Sequence, residues 1–184
     1  MFPHPVESVC VYCGSRHGDD LGFTHAARAL GAGLAERGLR LIYGAGDVGL
    51  MGEVARSTMA AGGKAVGVIP RHLLDMEVGL RDLTAMIVTD TMHERKKIMF
   101  ANADAVVALP GGAGTLDELI EVLTWRQLGL HDKPLILVDV NGYWRPFMDL
   151  LRHVVAHRFA SETLLDFLTL VPDAEGALHL LARR

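Results

Sequence analysis

Short apolar runs alternate with longer amphipathic stretches along the whole chain. The apolar runs predict strands at Ser8–Tyr12, Arg40–Tyr43, Ala65–Ile69, Met86–Thr89, Ala105–Leu109 and Leu135–Val138, with a seventh at Leu168–Val171. Between them, stretches near 20–37, 48–61, 91–102, 115–129, 143–157 and 173–183 carry helical periodicity. Strands apolar at nearly every position are buried on both faces. The expected architecture is therefore α/β, a parallel sheet with helices on either side. Ligands of such sheets bind beyond the C-terminal ends of the strands. That rule singles out four loops: Gly14–Arg16, Gly44–Gly49, Pro70–Glu77 and Pro110–Thr115.

Composition narrows the classes. A length of 184 residues suits one domain, 1–184, with a sizeable core. The net charge of −4 argues against nucleic acid or an anionic membrane as partner. No apolar run approaches the ~20 residues of a membrane span, and the start Met-Phe-Pro-His lacks a basic segment followed by an apolar one. A cytoplasmic protein is the expectation. Cys10 and Cys13 form a lone C-x-x-C. A zinc site would need two more ligands, and a redox dithiol usually opens a helix, so both cysteines read as core residues of a first strand.

The candidate chemistry sits at Leu109–Glu118, Leu-Pro-Gly-Gly-Ala-Gly-Thr-Leu-Asp-Glu. A strand runs into a glycine-rich turn and a helix opens at once behind it. Free backbone N–H groups at such a helix N-terminus make a seat for phosphate. Glu118 follows closely. Thr115 and Glu118 also match a capping box, Thr at the N-cap and Glu at N3, so cap and catalyst both stand as readings of Glu118. The core stripe of this helix is expected through Leu116, Leu119, Ile120 and Leu123, with a second apolar face at Val122 and Trp125.

Other motifs carry less. Gly44-Ala45-Gly46-Asp47-Val48-Gly49 matches G-x-G-x-x-G, but it follows the second strand, and no acidic residue ends the next strand to hold a ribose. A tight turn bringing backbone close to a ligand fits better than a dinucleotide site. In the helix near 91–102, Arg95 and Lys96 border the stripe of Met92, Met99 and Ala103, while Glu94 and Lys97 point away. Cations bordering a buried face call for an anion nearby. His153 and His157 stand at i, i+4 without a third ligand, so no metal is expected. No nucleophile elbow is present.

Taken together, these marks resemble the Lonely Guy (LOG) family of nucleoside 5′-monophosphate phosphoribohydrolases, long mislabelled lysine decarboxylase-like. The resemblance rests on Cys13-Gly14-Ser15, Tyr43-Gly44, Val48–Gly52, Gly67–Pro70, Met92–Lys96 and Pro110–Glu118. Thr124-Trp125, Gln127-Leu128-Gly129 and His131 continue it. It implies a Rossmann-like, doubly wound parallel sheet, a homodimer or larger assembly of dimers, no cofactor, and a nucleoside monophosphate substrate. By the same resemblance the catalytic pair falls on Arg95 and Glu118, and the phosphate on Gly111, Gly112, Ala113, Gly114 and Thr115. Gly14, Ser15, Gly44, Glu77, Met92, Lys96, Asp117 and Thr124 fall among the substrate contacts. Two departures alter the pocket wall: Gly44-Ala45-Gly46-Asp47 replaces the frequent Gly-Gly-Gly-Ser, and Ala113 stands where many members carry Tyr.

Hydrolysis of an N-glycosidic bond builds positive charge at C1′ and the ring oxygen. Helix dipole and Arg95 are together expected to keep Glu118 ionised, suiting it to stabilise that charge or activate water rather than to protonate the leaving base. The protonating group is not identified; Asp47 lies in a suitable loop. The rival readings are a nucleotide- or cofactor-carrier module, a nicotinamide-dependent oxidoreductase, and a pyridoxal-phosphate decarboxylase. The last is disfavoured by the short chain and by an anion-binding role for the Arg-Lys doublet.

Overall fold

The computed structural model describes residues 5–74 and 83–182. Seven strands, β1 (Ser8–Tyr12), β2 (Arg40–Tyr43), β3 (Ala65–Pro70), β4 (Ala85–Thr89), β5 (Ala105–Ala108), β6 (Leu135–Val138) and β7 (Leu168–Val171), form one sheet in the order β4-β3-β2-β1-β5-β6-β7. Every pairing is parallel. The eight α-helices among the described residues are α1 (Leu21–Glu36), α2 (Gly49–Ala60), α3 (Arg71–Leu74), α4 (Met92–Ala101), α5 (Ala113–Gln127), α6 (Arg145–Ala156), α7 (Thr163–Asp166) and α8 (Ala174–Leu181). All seven expected strands and six expected helices are present. The two single-turn helices α3 and α7 are additions, too short to carry a periodic signal.

Each strand feeds one side chain to either face in turn. Val9, Val11 and Cys13 join Leu30, Leu34, Val54 and Leu178 in the layer under α1, α2 and α8. Cys10 and Tyr12 join Met99, Leu119, Val122 and Trp144 in the layer under α4, α5 and α6. This alternation disposes of the C-x-x-C. Three residues apart around a strand end, the two thiols lie in opposite layers, both free and buried, and burial pushes both well above the ordinary thiol range. They pack as core.

The winding reverses between β1 and β5. From β1 the chain steps outward to β4, then returns to the other side of β1 and proceeds to β7. The loops after β1 and β5 therefore diverge and open a crevice, the place where doubly wound sheets take ligands. At the opposite end of the sheet His131 ties α5 to β6: Nε2 lies 2.8 Å from the Val122 carbonyl, and Nδ1 accepts from the Lys133 N–H at 3.2 Å. One ring nitrogen must donate and the other accept, which is the neutral imidazole. Burial, reinforced by nearby Arg126 and Lys133, holds its pKa below the ordinary value. No helix among the described residues is long and apolar enough to cross a membrane.

Candidate active site

The loops after β1 and β5 touch where the crevice opens. Gly14 N–H donates to the Pro110 carbonyl at 3.0 Å, and a Cβ on Gly111 would collide with Thr115 Oγ1 and crowd the Gly14 nitrogen. The Pro110–Gly112 strap can cross there only because Gly111 has no side chain. Directly behind it α5 opens with Gly112 as N-cap, and no side chain caps the end. The first amides of α5 are free to meet an anion.

This start overturns the capping-box reading of Glu118. The N-cap is Gly112, three residues before the expected Thr115, so Thr115 is N3 and Glu118 lies in the second turn, beyond reach of the cap. A T-x-x-E capping box does form, but at Thr91 and Glu94. Thr91 Oγ1 accepts from Glu94 N–H at 3.1 Å, and Glu94 Oε2 accepts from Thr91 N–H at 3.1 Å. The T-x-x-E pattern at Thr91–Glu94 is local and legible in the sequence.

The stripe expected on α5 also shifts. Leu119, Val122 and Leu123 enter the core with Thr115, whereas Leu116 and Ile120 are 38% and 41% exposed. The sequence carries two apolar stripes that share Leu119 and Leu123, and the fold buries the one through Val122. Trp125 packs edge-on against Phe100 at 5.1 Å.

A cleft of about 250 Å³ lies between α4, the start of α5 and the loop after β1. Of the residues named from sequence it brings together Gly14, Ser15, Met92, Arg95, Lys96, Gly112, Ala113, Gly114, Thr115, Asp117 and Glu118. Cys13 and Met51 also line it. Both lie in segments that carry the family resemblance, but the sequence reads Cys13 as core and assigns Met51 no contact. Gly44 and Gly111 do not line it; each makes room for a neighbour that does. Thr124 is not at the cleft: its hydroxyl back-bonds to the Ile120 carbonyl at 2.8 Å on the exposed side of α5. Asp47 is also off the cleft wall, its carbonyl accepting from Arg56 Nη1 at 2.6 Å. Glu77 lies outside the described residues.

Arg95 is buried, and backbone holds it. Nε donates to the Val68 carbonyl at 3.1 Å and Nη2 to the Gly44 carbonyl at 2.5 Å, while Nη1 lies 3.9 Å from Met92 Sδ. Two carbonyls at the ends of β3 and β2 thus fix the plane of the guanidinium, and a Cβ on Gly44 would strike Nη2. Hence two glycines of the G-x-G-x-x-G segment, Gly44 and Gly49, approach protein. Gly44 meets Arg95, and Gly49 meets the Ser15–Arg16 backbone.

Lys96 Nζ bridges Asp117 at 3.0 Å and Glu121 at 3.2 Å. Burial would lower its pKa, but the bonds to these two carboxylates outweigh that and hold it above the ordinary value. Lys96 and Asp117 are therefore paired with each other at the cleft wall. Glu118 is in neither pair, and among the described residues it makes no hydrogen bond or ion pair. Burial pushes its pKa up to about 7, against the pull of Arg95 and with a further push from Asp117. The expectation of a fully ionised Glu118 is corrected. Its carboxyl sits past the first turn of α5, where the dipole has faded, and Arg95 commits Nε and one Nη2 donor to backbone.

Among the described residues no three His, Cys, Asp or Glu side chains gather as a metal site. The rings of His153 and His157 stand 4.3 Å apart on the surface of α6, away from the cleft.

The fold and the crevice define an all-parallel, doubly wound α/β protein with a cleft at the switch point. Residues 51–181 match a family model described as "Possible lysine decarboxylase". The chain is 43% identical over 166 residues to the cytokinin riboside 5′-monophosphate phosphoribohydrolase LOG of Oryza sativa subsp. japonica, covering 90% of this chain and 69% of that protein. With the enzyme of that name from Rhodococcoides fascians it shares 39% over 173 residues, 94% of this chain and 87% of the other. The chain belongs to this LOG, lysine-decarboxylase-like family. A solved structure, the molybdenum cofactor carrier protein of Chlamydomonas reinhardtii, superposes with a TM-score of 0.71 at 21% identity, covering 95% of this chain and 94% of that one. At that identity the likeness is one of fold.

Proposed function

We propose that this chain is a phosphoribohydrolase. It takes a nucleoside 5′-monophosphate bearing a cytokinin-type or adenine base and adds water across the N-glycosidic bond. The products are free base and ribose 5-phosphate. The observation that carries this reading is the placement of half-buried Glu118 and backbone-clamped, buried Arg95 in the cleft that holds the uncapped start of α5. A phosphate on the amides of Gly112 to Thr115 would anchor the ribose, and Glu118 and Arg95 then face the sugar and the scissile bond. Because Glu118 holds its proton to about pH 7, we assign it proton donation to the departing base, which supplies the acid that Asp47 does not. Arg95 orients the sugar hydroxyls. Names of relatives, at about 40% identity over nearly the whole chain, support the same chemistry. We further propose that residues 1–184 act as one unit.

The test is a panel of monophosphates differing only in base, each paired with its dephosphorylated nucleoside, with free base followed by chromatography. Monophosphates are expected to be hydrolysed, and the matching nucleosides to show kcat/KM lower by about 100-fold, since remote phosphate binding positions C1′. Tight binding of every monophosphate without release of any base would select the carrier reading instead.

We also propose a homodimer. Leu116 and Ile120 stand one turn apart on α5, each more than a third exposed, and Met92 on the cleft wall is 39% exposed. Sedimentation equilibrium is expected to give twice the chain mass, falling to the chain mass for Leu116→Glu with Ile120→Glu. A wild-type monomer at micromolar concentration would remove the dimer from the proposal.

A further inference from the structure

Tyr143 precedes α6 and lies 32 positions from the strap in sequence, yet its phenol donates a 2.5 Å hydrogen bond to the carbonyl oxygen of Gly111. That carbonyl shares a planar peptide unit with the N–H of Gly112. None of the described peptide bonds is cis, so in this unit C=O and N–H point in opposite directions. Holding the carbonyl on the Tyr143 side of the strap turns the amide to the opposite side, and Gly112 lines the cleft of Arg95 and Glu118 as well as the cavity behind the strap.

The strap is anchored on either flank of this peptide. Gly14 N–H holds the Pro110 carbonyl at 3.0 Å, and Leu116 N–H holds the Gly112 carbonyl at 3.1 Å. Between these anchors the Gly111–Gly112 unit has a glycine on each side, and glycine allows the widest choice of backbone angles. Behind the strap lies a second cavity of about 310 Å³, lined by Phe23, Leu50, Pro110 and Tyr143 among others, so there is room for the peptide to turn. The Tyr143 ring is itself fixed, edge-on to Phe23 at 5.5 Å and to Trp144 at 5.2 Å.

We propose that Tyr143 is a positioning residue for the phosphate seat: its hydroxyl locks the Gly111–Gly112 peptide plane so that the Gly112 amide faces the bound phosphate. The assignment of phosphate to this seat rests on the hydrolase reading above. Direct binding therefore accompanies kinetics in the test, with ribose 5-phosphate as the calorimetric probe.

In Tyr143→Phe the ring contacts stay and only the hydroxyl goes. Ribose 5-phosphate is expected to bind about tenfold more weakly, the size of one charge-assisted hydrogen bond left misdirected. The KM for a nucleoside 5′-monophosphate should rise by a similar factor while kcat stays within about threefold, and the dephosphorylated nucleoside should react unchanged. Phe23→Leu, which loosens the ring contact but keeps the hydroxyl, should weaken ribose 5-phosphate binding by less than Tyr143→Phe does. Unchanged ribose 5-phosphate affinity in Tyr143→Phe, or equal weakening in Phe23→Leu, would overturn the proposal. So would failure of the wild type to bind the probe. If the wild type binds ribose 5-phosphate but hydrolyses no monophosphate, the hydrolase reading falls, and the comparison of the two variants still decides the role of Tyr143.

Discussion

Glu118→Gln is expected to lower kcat on a nucleoside 5′-monophosphate by about a thousandfold and, above pH 7, to make the protein harder to unfold. The first effect follows from losing the proton donor while keeping the shape and polarity of the side chain. The second follows from linkage. An unfolded Glu gives up its proton near the ordinary 4.5, whereas folded Glu118 keeps it up to about 7. Between those values the folded state binds more protons, so stability declines as pH rises from 4.5 to 7. Above pH 7 the full penalty of an ionised, desolvated carboxylate is present, of the order of 3 kcal/mol. Gln carries no such penalty. Urea midpoints should favour the variant at pH 8 and converge with wild type near pH 4.5.

The same group sets the pH profile of catalysis. Arg95 and Lys96 from α4, Asp117 and Glu121 from α5, and Cys10, Tyr12 and Cys13 from the end of β1 surround Glu118 or couple to it. The thiols and the phenol are pushed far above their usual ranges by burial, so Glu118 is the group that titrates near neutrality. With the protonated form active, kcat/KM should fall as pH rises through about 7, and this limb should be absent from the residual activity of Glu118→Gln. A rising limb at the same pH would return Glu118 to the carboxylate role that its sequence position first suggested.

Why the fold was so legible, and the site less so, comes down to range. Strands such as Val9–Tyr12 and Leu135–Val138 are apolar on both faces and say so locally. The start of α5 does not: Thr115 and Glu118 satisfy the local capping pattern, but the strap's contact with Gly14, about 100 residues earlier in the chain, begins the helix at Ala113. Met51 and Tyr143 are legible no better: Met51 lies in a motif that gives its thioether no role, Tyr143 lies in none, and only the folded chain shows that one lines the cleft and the other reaches the strap. Arg95 and Glu118 were named, yet their environments were not. That Arg95 would be clamped by the carbonyls of Gly44 and Val68, with Glu118 unpaired among the described residues, depends on where β2 and β3 end in space.

That clamp gives the second large effect. A Cβ on Gly44 would occupy the place of Arg95 Nη2, and its other near neighbours are Arg95 Cζ and Met51 Sδ, so the guanidinium must leave the two carbonyls. Gly44→Ala is expected to cut kcat/KM by about 100-fold, the scale of a displacement near 1 Å at a reacting centre. It should also destabilise the fold by about 1–3 kcal/mol through overpacking. Arg95→Met removes the cation itself and should cost at least as much activity. If Gly44 acts by placing Arg95, the double variant Gly44→Ala with Arg95→Met should be no less active than Arg95→Met alone, because the second change has nothing left to displace. Losses that multiply would show instead that Gly44 touches the substrate independently, and that the glycine after β2 belongs to the pocket wall rather than to the seat of the guanidinium.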